Sequence, residues 1–164
     1  MSATRFNDAV NALLARYAAA PAFEGKQVYD GARAVTWTAA DFIVVGHDGS
    51  LVAGPGGGSD LNPDALAGTF TQADIDMPDR QETGYVNCVI VSWTGDSDDV
   101  SGTRQRASDL LQAAEDAAGA NGGYDGTGLM FAGTSDGRFI NLLSQAGLAV
   151  ILAYRVAYST EWAL

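Results

Sequence analysis

One stretch of alternating apolar residues constrains the fold of this chain more than any other feature. Tyr85 to Trp93 reads YVNCVIVSW. Successive residues of an extended strand point to opposite faces of a sheet, and in this stretch both faces are mostly apolar. Such a strand is typical of the centre of a sheet that is covered on each side. A second alternating stretch, Leu148 to Tyr158 (LAVILAYRVAY), predicts a long final strand.

Two amphipathic helices are predicted beside these strands. The first lies between Thr4, a suitable N-cap, and Pro21, which prevents its continuation. The second runs from about Ser101 to Ala118, and Asp98 and Asp99 precede it, near the positive end of the helix dipole. The apolar residues at helical spacing are Phe6, Val10, Leu13, Leu14 and Tyr17 in the first helix, and Val100, Ala107, Leu110, Leu111 and Ala114 in the second.

A long loop is predicted from about residue 48 to residue 83. This segment is rich in Gly, Pro and Asp, and it is far longer than the usual connection of about 4–6 residues. Loops of this length are usually functional, and we expect a short strand inside it between Leu66 and Ile75. Shorter β segments are predicted at Gln27–Tyr29, Phe42–Gly46 and Leu129–Ala132, whereas Arg138–Leu143 fits a strand or a helix equally.

Composition excludes several classes of protein. The 164 residues suffice for one domain with a single core. A net charge of −11 and a pI near 4.1 disfavour tight binding to nucleic acid, which relies on Lys and Arg at the phosphate backbone. Cys88 is the only cysteine, so neither an intramolecular disulfide nor a thiolate zinc cluster is expected. No apolar run reaches the roughly 20 residues that span a bilayer.

Three motifs have both a chemical and a structural interpretation, and the structural one is favoured in each. Gly133–Gly137 matches the G-x-S-x-G of a hydrolase, but the histidine of such a triad follows the serine and His47 precedes it. We interpret this motif as a turn joining two strands. Gly54–Ser59 lacks the lysine of a phosphate-binding loop. Asp96–Asp99 resembles the start of a calcium loop, but the twelfth position is Ala107 instead of Glu, so helix capping is favoured.

The charged groups that an enzyme would need are sparse. Asp30, His47 and Asp48 form the only acid–base cluster that the sequence suggests. A lone histidine without Cys or carboxylate spacing is more often a turn residue than a catalytic group or a ligand. We therefore expect no catalytic residue, no cofactor and no metal site.

Five segments occur in an order that identifies a family resemblance. They are V-Y-D-G at Val28–Gly31, FIVVGHDG at Phe42–Gly49, ETGYVNCVIVSWTGD at Glu82–Asp96, the helix with Arg104 and Ala107, and AVILAYRVAY at Ala149–Tyr158. This order resembles that of the tail terminator proteins of long-tailed, siphovirus-type phages, especially those that infect actinobacteria. The resemblance covers most of the chain, and none of its motifs is a catalytic signature.

The resemblance implies a fold and a role. The fold is α+β: a single domain over residues 1–164 with a mostly antiparallel or mixed sheet, flanked by the N-terminal helix and the helix near 101–118. The role is structural, as a hexameric ring that caps the tail tube, ends its polymerisation and forms the junction with the head or neck. The implied partners are other copies, the tail tube protein and a head-completion or neck protein, without a membrane. The protein would be assembled in the host cytoplasm and located at the head-proximal end of the tail, where DNA only passes through an acidic lumen.

Four residues are the candidates for contacts with other subunits or neighbouring proteins. They are Trp93, Trp162, Phe70 and Ile75. The tryptophans, together with Trp37, have the large apolar area that suits an interface as well as a core. Three alternatives stay open: a head-completion, neck or tail tube protein of the same virion, a small-ligand-binding domain, and an enzyme.

Overall fold

Two long antiparallel strands, β6 (Asp79–Thr94) and β8 (Gly147–Ala163), form the centre of the sheet. The computed structural model describes residues 4–31, 41–54, 59–76, 79–144 and 147–163. Two short 3-10 turns, Pro21–Phe23 and Ala120–Gly123, follow the helices. The other elements are α1 (Phe6–Ala19), β1 (Gln27–Asp30), β2 (Asp41–Val45), β3 (Leu51–Ala53), β4 (Ser59–Leu61), β5 (Gly68–Asp76), α2 (Val100–Ala118) and β7 (Leu129–Ser144).

The sheet is mixed, with the strand order β1-β2-β6-β8-β7. β1 and β2 are parallel, and every other pair in the sheet is antiparallel. β5 pairs with the first half of β6, on the same edge where β2 pairs with its second half. β3 and β4 form a separate hairpin. The prediction of a single α+β domain with two flanking helices is confirmed.

The centre of the sheet is buried on both faces, as the two-sided apolar pattern of β6 predicts. On one face, called here the helix face, α1 and α2 pack against alternate residues of the central strands; these include Val86, Cys88 and Ile90 of β6 and Val150, Leu152 and Tyr154 of β8. On the opposite face a smaller cluster joins the sheet to the β3–β4 hairpin; its buried members are Phe42, Val44, Leu61, Val89, Val91, Ile151 and Ala153.

The buried carboxylate of Glu82 fixes the start of α1 to the sheet. Its oxygens accept hydrogen bonds from Thr4 Oγ1 (2.8 Å), Gln72 Nε2 (2.8 Å) and Tyr158 Oη (2.8 Å), and from the backbone N–H of Arg5 (3.2 Å). A charge without solvent contact is tolerated only when it is hydrogen-bonded in this way. Burial and the hydrogen bond to Glu82 raise the pKa of Tyr158, which keeps this tyrosine a donor.

A second buried polar contact lies on the helix face. Tyr154 Oη of β8 donates to Tyr17 Oη of α1 at 3.2 Å, and both rings are buried next to Cys88. Burial raises the pKa of the Cys88 thiol to about 12, so this cysteine behaves as a small apolar residue.

The helix ends are held by specific polar groups. The Asp99 carboxylate accepts a hydrogen bond from the Gly102 N–H, which confirms the predicted capping of α2. The N-cap of α1 is Arg5, one residue after the predicted Thr4. Thr4 Oγ1 accepts a hydrogen bond from the Phe6 N–H. Arg16 of α1 donates to the carbonyls of Ala118, Ala120 and Tyr124 at the other end of α2.

Two sequence-based expectations are corrected by the structure. The segment from 48 to 83 is not one loop, because it contains β3, β4, β5 and the start of β6; β5 corresponds to the short strand expected between Leu66 and Ile75. The Gly133–Gly137 motif is not a turn between two strands. β7 continues through it with two irregularities in its pairing to β8, and Asp136 has a positive φ of 55° at the second.

Candidate functional site

The predicted contact residues do not form one site. Trp93 lies half-buried near the end of β6, and its carbonyl accepts a hydrogen bond from Arg106 Nη2 at 2.7 Å. Phe70 lies in β5 opposite Gly84, roughly 30 Å from Trp93 along the strand direction. Ile75 and Trp162 lie in β5 and β8, but their side chains are outside the described part of the chain, as is all of Trp37.

Of the two predicted contacts whose side chains are described, Phe70 is the more exposed. Its side chain is 47% exposed and lies on the helix face, with its ring centroid 6.3 Å from that of Phe6. The register Phe70–Gly84–Tyr158 confirms this face, because Tyr158 packs under α1. Phe70 thus presents half of an aromatic ring at the edge of the sheet.

Two further exposed apolar side chains of the sheet lie on β7, in the segment that the sequence pattern left ambiguous. Phe139 is 46% exposed and Leu143 is 71% exposed. They pair with Leu152 and Leu148, two residues that are buried under the helices, so both lie on the helix face. The signal that would have found them is the mostly apolar composition of Arg138–Leu143, once the segment is assigned to an edge strand.

His47 is a structural residue. It is buried, its Nε2 lies 3.0 Å from the Asn62 carbonyl, and its Nδ1 accepts a hydrogen bond from the Gly49 N–H at 2.9 Å. Burial lowers the pKa of His47, an effect that the Asn62 carbonyl and Asp48 only partly oppose. With both ring nitrogens engaged, the neutral imidazole offers no free nitrogen to act as a base for Ser135 or for a bound substrate.

Asn87 is one of two polar residues that interrupt the central β6 pattern, the other being Ser92. It lies where β6 changes partner from β5 to β2, and its amide donates to the Leu66 carbonyl at 2.9 Å. Its backbone carbonyl accepts from the N–H groups of Gly46 and His47. Asn87 therefore holds one loop through its side chain and a second through its backbone carbonyl.

An open pocket of about 330 Å³ lies on the face opposite the helices. Its charged lining comes from Asp48, Asp136, Arg138 and Arg155. Arg155 pairs with Asp136 at 2.9 Å and stacks over the Tyr85 ring, and Arg138 donates to the Asp48 carbonyl oxygen at 2.7 Å. One ion pair and one hydrogen bond therefore already engage both arginines that a polar ligand would use.

The Asp48 carboxylate is also engaged in hydrogen bonds within the chain. Burial alone would raise its pKa, but hydrogen bonds from the side chain and the N–H group of Ser50 and from the N–H group of Leu66 outweigh it and hold the pKa of Asp48 below its usual value. Asp30, the third member of the predicted acid–base cluster, is exposed at the end of β1. The geometry therefore gives these three residues separate structural environments.

Comparison with known proteins adds no family assignment. No protein-family model matches the chain, and no curated protein matches its sequence. Within the described residues, no group of three or more His, Cys, Asp or Glu side chains is placed to hold a metal ion. No helix in the described part of the chain is long and apolar enough to cross a membrane.

Proposed function

We propose that this protein is a tail terminator of a long-tailed phage. In this role six copies form a ring on the end of the tail tube, stop its growth and provide the junction with the head or neck. The observation that carries the proposal is the location of the resembling segments in the fold. The two longest, Glu82–Asp96 and Ala149–Tyr158, are the paired central strands β6 and β8, and Val28–Gly31 and Phe42–Gly49 supply the neighbouring β1 and β2.

This distribution supports a scaffold instead of an enzyme. The resembling segments build the framework of the sheet, and the polar residues inside them hold other parts of the chain. His47 binds the Asn62 carbonyl, Asn87 binds the Leu66 carbonyl, and Glu82 anchors the start of α1. Subunit contacts are then left to the exposed apolar residues at the sheet edges.

The charge of the chain fits the same role. Each copy carries −11, so a ring of six would be strongly acidic. An acidic passage repels the DNA backbone, which allows DNA to move through the ring without being held.

The first experiment is native mass spectrometry over a concentration series, with negative-stain imaging of the largest species. We expect a hexamer that appears as a ring with an open centre. Mixed with growing tubes of the tail tube protein from the same virion, the ring should bind one end and stop elongation. A chain that stays monomeric or dimeric throughout, or that binds along the tube wall, contradicts the proposal.

A second candidate, a small-ligand-binding domain, is favoured by one observation, the 330 Å³ pocket beside Asp48. It predicts a monomer or compact dimer and loss of binding in Arg138→Ala. The same mass measurement separates the candidates, because only the terminator requires a ring. A neck or tube protein of the same virion would instead add to the ring surface or polymerise into long tubes by itself.

A further inference from the structure

The outer edge of β7 carries a regular stretch without a partner strand. Arg138 to Leu143 pairs residue by residue with Ala153 to Leu148 of β8, beyond the second irregularity of β7. β8 is the only strand of the described chain that pairs with β7. About 20 Å of β7 backbone is therefore available on its outer side for a further strand.

This edge lacks the features that usually prevent strand addition. Natural edges are blunted by Lys, Pro, bulges or a covering element. Here the six residues read RFINLL, without Pro or Lys, and the irregularities of β7 lie before them. Phe139 and Leu143 are exposed on the helix face, and Ile140 and Leu142 are half-buried on the other. A regular, apolar and unprotected edge is the kind that another strand covers.

β5 offers a complementary edge on the other side of the sheet. Among the described strands β5 pairs only with β6, so its outer side is also without a partner strand. Its exposed Phe70 lies on the helix face, the same face as Phe139 and Leu143. When a sheet continues from one molecule to the next its faces stay continuous, so these apolar side chains would lie next to one another.

The strand directions agree with this pairing. β5, β6, β8 and β7 alternate in direction, so a neighbour in the same orientation places its β5 antiparallel to β7.

We infer that the β7 edge of one copy pairs with the β5 edge of a second copy, so that the sheet continues from subunit to subunit. Because the two edges differ, the contact is heterologous and can repeat until a ring closes. The inference rests on the proposed ring and specifies how its subunits meet, with Phe70 of one copy packed beside Phe139 and Leu143 of the next.

The test uses a charge exchange across this contact. Phe139→Glu alone and Phe70→Lys alone should each raise the protein concentration needed for half-assembly by about tenfold or more, because each buries one unpaired charge. The double variant Phe70→Lys/Phe139→Glu should recover assembly, since every contact then joins Lys to Glu. Val52→Lys, at a 38% exposed valine of the separate β3–β4 hairpin, is the matched control and should assemble normally. Thermal unfolding of each variant verifies that it is folded.

The outcomes separate this inference from the proposed function. A wild-type ring with both single variants assembling normally overturns the β5–β7 contact and leaves the ring in place. Loss of assembly in the single variants without recovery in the double variant indicates that β7 pairs with something other than β5, and also overturns the contact. A wild-type chain that is monomeric at every concentration overturns the ring and this contact together.

Discussion

The hydrogen bond between Tyr158 and the buried Glu82 gives the most direct test of what holds α1 on the sheet. Tyr158→Phe removes one donor from a carboxylate that has no solvent contact, while the ring stays in place. Hydrogen bonds to charged groups contribute about 1.5–3 kcal/mol. We expect the free energy of unfolding to fall by that amount, which corresponds to a melting temperature lower by about 3 to 12 °C for a chain of this size.

Tyr154→Phe is the matched control for this prediction. It removes a hydroxyl from another buried tyrosine of β8, whose partner, Tyr17 Oη, is neutral. Such a bond contributes about 0.5–1.5 kcal/mol. Urea unfolding of both variants at one pH measures the two free energies. If Tyr158→Phe costs no more than Tyr154→Phe, Glu82 is not the anchor that its contacts indicate.

Two further predictions concern pH and helix capping. Because burial lowers the pKa of His47, the unfolded chain binds more protons than the folded chain between the folded pKa and the usual 6.5. The contribution of His47 to stability is then complete above about pH 6.5 and is lost as the pH falls from there to the folded pKa. Urea unfolding from pH 8 to pH 4.5 should show this loss in the wild type and not in His47→Gln. Asp99→Ala removes the cap of α2 and should lower the free energy of unfolding by about 1 kcal/mol. Asp98→Ala, one residue away, should change it by less than about 0.5 kcal/mol in the same thermal unfolding series, and equal effects would contradict the assignment of the cap.

The parts of the fold that follow from local pattern were predictable. α2 was expected at Ser101–Ala118 and spans Val100–Ala118, because an apolar stripe and a capping aspartate coincide there. β6 was expected from Tyr85, but it begins at Asp79. Its first six residues, DRQETG, are polar and have no apolar alternation. They are held in the sheet by pairing with β5 and β8 on either side, which no local pattern reveals.

The buried anchor Glu82 and the exposed edge residues Phe139 and Leu143 were harder to predict from the sequence. In the sequence, Glu82 lies in a polar run that is typical of the surface. It is buried because the fold brings the donors Thr4, Gln72 and Tyr158 to its carboxylate. Phe139 and Leu143 were missed because Arg138–Leu143 fits a strand or a helix equally, so the sequence does not place these residues at a sheet edge. The Gly133–Gly137 motif lies inside β7, where it coincides with two irregularities in the pairing to β8, and the strand continues through it for 16 residues in all.

The position of β8 in the sheet determines when the β7 edge of the proposed contact can form. β6 and β7 both precede β8 in the chain, yet β8 lies between them, and Tyr154 meets a partner 137 residues earlier. Contacts of such long sequence separation form late and slow the folding of a domain. β7 has no other strand to align it in the described chain, so its outer edge exists only once β8 is in place. A partly synthesised or misfolded copy therefore presents no such edge, and in the proposed ring folding itself would delay association until the core is complete.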